Sequence, residues 1–78
     1  MEYHSWVMHM GIRNRLREIR HEMMIDHAKE MASTLGISEQ AYSRLENQRS
    51  QPTLEKAFIY AQKLKRTVDE LFYLAPEE

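Results

Sequence analysis

The stretch that decides the fold is AKEMASTLGISEQAYSRLENQRSQP, running from Ala28 to Pro52. Its apolar spacing predicts two short helices joined by a tight turn. In the first, Ala28, Met31, Ala32 and Leu35 recur at i, i+3, i+4 and i+7, one face of a helix. Ala32 is small where two helices must touch. Gly36 ends the helix, because a residue without Cβ takes the positive φ of the turn at little cost. Ser38 is a fitting N-cap for the next helix. Ile37 and Tyr42 take the flanking positions of a hydrophobic staple, which sets the angle at which the chain enters that helix. Tyr42 and Leu45 then face inward. Glu39, Gln40, Ser43, Arg44 and Asn47 are left facing out. A short helix with a polar face, held by a turn against a second helix, has the shape of a module that reads the DNA major groove.

Working outward, Ile12, Leu16, Ile19 and Met23 fall at i, i+4, i+7 and i+11 and predict a first helix from about Ile12 to Met23. Asp26 is the expected N-cap of the second helix. NQRSQP (47–52) reads as a loop, with Pro52 as punctuation. Thr53 caps a fourth helix whose buried stripe is Leu54, Ala57, Phe58, Ala61 and Leu64. Thr67-Val68-Asp69-Glu70 is a capping box. It opens a short fifth helix with Leu71, Phe72 and Leu74 as apolar contacts, and Ala75 to Glu78 read as a tail. No strand signal stands out. The expected organisation is an extension over 1–11, an all-α, compact five-helix domain over 12–74, and a tail over 75–78. The opening MEYHSWVMHM carries Tyr3, Trp6, Val7, Met8 and Met10 without clear periodicity. A mobile end, an arm packing on this domain or on a second subunit, and a start-codon artefact all suit it. A lone Trp6 inclines the reading toward packing.

Composition narrows the class. A chain of 78 residues holds one small domain. At 42% hydrophobic and 29% charged it is expected to fold. A core this small is marginal alone, which favours an oligomer. There is no cysteine, so disulfides, zinc–thiolate sites and thiol chemistry are excluded together. No apolar run approaches the ~18 residues of a membrane span, and no signal peptide is apparent. A cytoplasmic setting is expected. Net charge is −1, yet four of the twelve acids lie in the last ten residues; residues 1–68 hold eleven bases against eight acids. Arg13, Arg15, Arg17 and Arg20 crowd one stretch. Modest, salt-sensitive non-specific DNA binding is expected from that balance. The histidine pairs, five and six residues apart, miss the i, i+4 spacing of two metal ligands on one helix, and no nucleophile–base pair is suggested. No metal, cofactor or enzymatic activity is expected.

Five pieces, in this order and spacing, resemble the Xre/Cro-repressor family of bacterial and phage regulators: L-R-E-I-R (16–20), M-A-S-T-L-G-I-S (31–38), S-R-L-E-N (43–47), Q-P-T-L-E (51–55) and T-V-D-E-L-F (67–72). The resemblance spans Leu16 to Phe72. It implies a lambda-repressor-like fold with the helix-turn-helix at helices 2 and 3, and a partly buried ion pair between Arg20 and Glu46. The chain also departs from the family. Ala28 stands where the family usually places a backbone-touching glutamine, the turn between helices 1 and 2 is about one residue longer, and Gln48 and Lys65 replace two customary glycines. A left-handed backbone at either would cost roughly 1 kcal/mol.

The expected reading residues are Gln40 and Arg44, four apart on one side of helix 3, with Glu39 beside them. Arg suits guanine, Gln adenine, and a carboxylate accepts from cytosine. The expected phosphate contacts are His27, Ala28, Ser38, Ser43, Asn47, Gln48 and Arg49, with Arg49 favoured by charge and the start of helix 2 offering backbone N–H groups. Arg13 and Arg17 could extend the phosphate footprint, but a solvated helix face is the better reading of both. The expectation is a sequence-specific regulator, read as a repressor, bound as a homodimer to a palindromic operator in double-stranded DNA. The alternative is a protein-interaction module of the same fold, such as an antitoxin or an antagonist of another regulator, using Trp6, Met8 and Met10 toward a heterologous partner.

Overall fold

The computed structural model describes residues 10–76; the expectations placed on residues 1–9, including the partner-binding reading of Trp6 and Met8, and on Glu77 and Glu78 lie outside the described residues. The elements run β1 (Met10–Asn14), α1 (Leu16–Glu22), α2 (Ala28–Leu35), α3 (Glu39–Glu46), α4 (Leu54–Leu64), α5 (Val68–Leu71) and β2 (Phe72–Pro76). The five helices are as expected, but the fold is not strictly all-α. β1 and β2 pair antiparallel, from Met10 opposite Pro76 to Asn14 opposite Phe72. The first helix is therefore shorter than the predicted Ile12–Met23. The apparent continuity of Ile12 with Leu16 is a coincidence of spacing across a strand–helix junction. Ile12 is 45% exposed on β1 rather than buried on a helix. Neither five-residue strand, MGIRN or FYLAP, alternates cleanly between apolar and polar side chains, and each one's partner lies far away along the chain.

The core gathers Leu16 and Ile19 of α1, Met31, Ala32 and Leu35 of α2, Tyr42 and Leu45 of α3, Ala57, Tyr60, Ala61 and Leu64 of α4, and Leu71 and Phe72. Tyr42, Leu16, Met31 and Leu71 are its largest fully buried side chains. Ile37 packs against it from the position the staple expectation gave it, and Tyr42 is fully buried within it. α4 departs from expectation. Its buried stripe is Ala57, Tyr60, Ala61 and Leu64, while Leu54 and Phe58 are 72% and 59% exposed. The helix carries a wider apolar arc than the core can cover, and these two fall on the uncovered side. Leu74, expected inside, is also exposed: it shares a sheet face with buried Phe72 but lies two residues further along β2 and is left uncovered.

Capping explains most boundaries. Ser38 Oγ accepts from the Ala41 N–H at 3.1 Å, and Thr53 Oγ1 from the Lys56 N–H at 3.2 Å. At α5 the Thr67–Glu70 capping box is complete. Asp26 does not cap α2. His27 holds the N-cap position, and no side chain caps that end. The loop is fixed instead by Arg20, whose Nη1 donates to the carbonyls of Ile25 and Asp26, both at 3.0 Å.

The C-termini of α1 to α4 share one device. Met24, Gly36, Gln48 and Lys65 each sit at φ between +58° and +76°. The N–H of the following residue returns to a carbonyl of the last turn: Ile25 to Arg20, Ile37 to Ala32, Arg49 to Arg44 and Arg66 to Ala61. These are Schellman terminators, and only one of the four uses glycine. At Gly36 the last turn is further capped by Lys63, whose Nζ donates to the Leu35 carbonyl at 3.3 Å.

Candidate nucleic-acid interface

α3 has a fixed side and an exposed one. On the fixed side Glu46, 9% exposed, accepts from Arg20 Nε at 2.9 Å and Arg20 Nη2 at 3.0 Å, a bidentate pair tying α3 to α1. Arg17 Nε reaches the same carboxylate at 3.2 Å. Burial by itself would raise the Glu46 carboxyl. Hydrogen bonds from Arg20 foremost, and from Arg17, outweigh it and hold the group at about 2. The partner guanidinium of Arg20 is pushed up by its bond to Glu46. The buried Tyr42 hydroxyl, raised chiefly by desolvation, stays protonated and donates to the Leu16 carbonyl at 3.5 Å.

The residues after α3 are tethered in the same manner. Arg17 Nη2 donates to Asn47 Oδ1 at 2.7 Å, and Asn47 Nδ2 donates to the Ser43 carbonyl at 2.9 Å. Gln48 turns its amide onto β1. The Asn14 N–H donates to Gln48 Oε1 at 3.0 Å, and Gln48 Nε2 donates to the Asn14 carbonyl at 2.9 Å. The side chain thus imitates a neighbouring strand at the edge of β1. Asn14, 3% exposed, completes the network: Nδ2 donates to the Leu45 carbonyl at 2.8 Å and to Gln51 Oε1 at 3.0 Å, and Oδ1 accepts from the Leu16 N–H at 3.1 Å. Among the described residues no buried side-chain polar atom lacks a partner.

On the exposed side, Gln40, Ser43, Arg44, Asn47 and Arg49 line one shallow depression of about 410 Å³. The structure therefore brings together five of the residues singled out from sequence. Glu39 is exposed in the first turn of the same helix, beside Gln40 but outside the depression. Ser38 is occupied as the cap of α3. His27 is exposed and Ala28 half-buried at the uncapped start of α2. Gln48 is half-buried, with both ends of its amide engaged by Asn14 and its own N–H bonded to Leu45, so it acts on the loop rather than outward.

Sequence reasoning misread one residue and passed over another. Arg17 is no bystander on a solvated face, since it bridges Glu46 and Asn47. Together with Arg13 and Gln48 it lines a second polar recess of about 350 Å³ beside the first. Asn14 had a signal: an Asn just ahead of the first buried helical residue is an N-terminal mark. Extending the helix back to Ile12 hid it.

Among the described residues no three His, Asp or Glu side chains assemble as a metal site. No helix among them is long and apolar enough to cross a membrane. A comparison with curated proteins found no match. The helix-turn-helix family profile HTH_3 matches residues 16–71, from the start of α1 to the end of α5. That span is most of the chain and takes in the bidentate Arg20–Glu46 pair, the α2–α3 turn and the depression on α3. The chain thus belongs to the Xre/Cro-type helix-turn-helix family of DNA-binding transcription regulators.

Proposed function

We propose that this chain is a sequence-specific repressor that acts in the cytoplasm as a homodimer on a palindromic site, placing α3 in the major groove. The observation that carries the reading is the pairing of an exposed Gln40–Arg44 face with a helix whose opposite side is anchored by Glu46. Arg44 reads guanine through two parallel N–H donors, Gln40 reads adenine, and Glu39 discriminates against unwanted bases as well as accepting from cytosine. Ser43, Asn47 and Arg49 flank the groove and hold phosphates. The N–H groups at His27 and Ala28 receive a phosphate at the start of α2, in place of a side-chain contact there. Ser38 contributes from the start of α3. Gln48 contributes by holding the loop that carries Arg49. Two copies set their recognition helices ~34 Å apart, matching successive major grooves.

The test is selection from a random DNA library at roughly physiological salt, with the wild type and the Gln40→Ala/Arg44→Ala double variant side by side. An enriched palindrome that the variant loses, with half-site spacing of about one helical turn, is the expected result. Equal enrichment by both proteins would move the reading face elsewhere. No enrichment, with only salt-sensitive retention, would transfer the weight to the protein-interaction reading.

A further inference from the structure

The sheet brings charge to the side of α3. Arg13 and Tyr73 stand directly opposite each other on β1 and β2, so their side chains rise on one face. Both lie outside residues 16–71, the span that the helix-turn-helix profile matches. Together with Arg17, Asn47 and Gln48 they line the polar recess of about 350 Å³. Asn47 also lines the depression on α3. The two hollows meet at that side chain, and the recess prolongs the candidate DNA face from α3 to the sheet.

The donors of the recess are only partly engaged. Arg13 is exposed and makes no side-chain hydrogen bond or salt bridge among the described residues. The Arg17 side chain, 53% exposed, gives Nε to Glu46 and Nη2 to Asn47, and the rest of its guanidinium fork is open. The ring of Tyr73 is held by Arg15, whose guanidinium carbon lies 4.2 Å from the ring centre. Two acids share the recess, Glu18 and Glu46. Glu46 is already matched by its bidentate bonds from Arg20. That leaves Glu18 against Arg13 and Arg17, with Arg15 alongside, a surplus of positive charge. Charged side chains on an edge strand also deter unwanted strand pairing. That role does not account for donors converging on one hollow from both strands, α1 and the loop after α3.

We propose that the sheet carries a DNA-backbone site of its own: Arg13, assisted by Arg17 and the Tyr73 hydroxyl, holds a phosphate beyond the base pairs that α3 reads. The proposal rests on the DNA-binding reading above and adds a contact to it. A guanidinium matches two phosphate oxygens at once. Pairing of β1 with β2 holds the backbone of Arg13 in place, so less freedom is lost when the contact forms. Such a contact fixes the protein on the duplex and adds affinity without reading sequence.

Fluorescence anisotropy of the full chain over a salt series tests it, on a duplex carrying the selected site and on a scrambled duplex of equal length. Arg13→Ala, and independently Arg13→Gln, are expected to keep the wild-type circular dichroism and to weaken binding to both duplexes by the same factor, roughly tenfold. The slope of log affinity against log salt is expected to fall by about 0.9, the value for one phosphate. Arg13→Lys is expected to restore that slope. Tyr73→Phe keeps the ring under Arg15 and removes no charge, so binding is expected to weaken about threefold with the slope unchanged. Arg44→Ala separates the two readings, because it is expected to lose the preference for the selected duplex over the scrambled one. Failure of the α3 face shows in that preference, and failure of the sheet site in the salt slope. Methylphosphonates, which are neutral, are then placed at one phosphate at a time. One position outside the bases read by α3 is expected to weaken the wild type and leave Arg13→Ala unaffected. An unchanged slope in both Arg13 variants, or the absence of any such position, would overturn the proposal. A wild type that binds neither duplex would overturn it together with the DNA-binding reading.

Discussion

α3 and α4 end on the same backbone turn, a left-handed residue followed by a return hydrogen bond, yet their side chains meet different fates. At the end of α3, Glu46 is held by two arginines, Asn47 by Arg17, and Gln48 by both backbone groups of Asn14. At the end of α4, Lys65 adopts φ +58° with an exposed side chain and makes no side-chain hydrogen bond among the described residues. Its neighbour Arg66 joins Glu22 at 3.0 Å, in a bridge whose acid is 59% exposed. A left-handed L-residue costs about 1 kcal/mol wherever it stands. At Gln48 the amide makes two hydrogen bonds that offset this and join the loop after α3 to β1. At Lys65 nothing comparable is gained. Side-chain tethering thus gathers at the loop that follows α3, and thins out at the turn that follows α4.

The strongest way to break this contrast is Glu46→Ala. It leaves the guanidinium of Arg20 buried without its carboxylate, and urea unfolding is expected to show a loss of about 3–5 kcal/mol. A pH series sharpens the same point. The Glu46 carboxyl is held at about 2 in the fold against an ordinary 4.5. Its folded-state value is lowered, so its contribution is complete above about pH 4.5 and disappears as pH falls toward 2. The stability gap between wild type and Glu46→Gln is expected to close across that window and to stay constant above it. A gap that persists at pH 2 would place the stabilisation elsewhere.

Next in size is Gln48. Gln48→Ala removes both bonds to Asn14 and keeps the left-handed strain, with an expected loss of about 1–3 kcal/mol. Gln48→Gly loses the same bonds but relieves the strain, so it is expected to recover up to ~1 kcal/mol of that loss. Both variants free the loop that carries Arg49 and are expected to weaken binding to a selected duplex. The smallest effect is expected at α4. Lys65→Gly relieves strain without breaking a side-chain bond, and thermal unfolding is expected to show a gain of up to ~1 kcal/mol. If Lys65→Gly and Gln48→Gly shifted stability alike, the amide clamp would have no energetic weight.

Much of this was legible in the residues alone. Ser38, Thr53 and the Thr67–Glu70 box mark helix starts through side-chain oxygens that reach only three residues along the chain, and Gly36 marks a turn by its own missing Cβ. The polar face of α3 was equally plain, because Gln40 and Arg44 are placed by helical period. Asp26 misled, because Arg20 of α1 took over the loop that Asp26 was expected to organise.

The sequence by itself determined the five helices apart from the start of the first, the caps of α3, α4 and α5, and the side of α3 that faces out, since each depends on neighbours within a turn or two and on the 3.6-residue period. The tertiary structure alone decided what depends on distant partners. It paired Met10–Asn14 with Phe72–Pro76, turned the Gln48 amide onto Asn14, drew Arg17 to Asn47, and left Leu54, Phe58 and Leu74 uncovered. A strand has no hydrogen bonds of its own, and an apolar side chain carries no record of which of several neighbours will bury it. Such outcomes are settled only when distant parts of the chain meet.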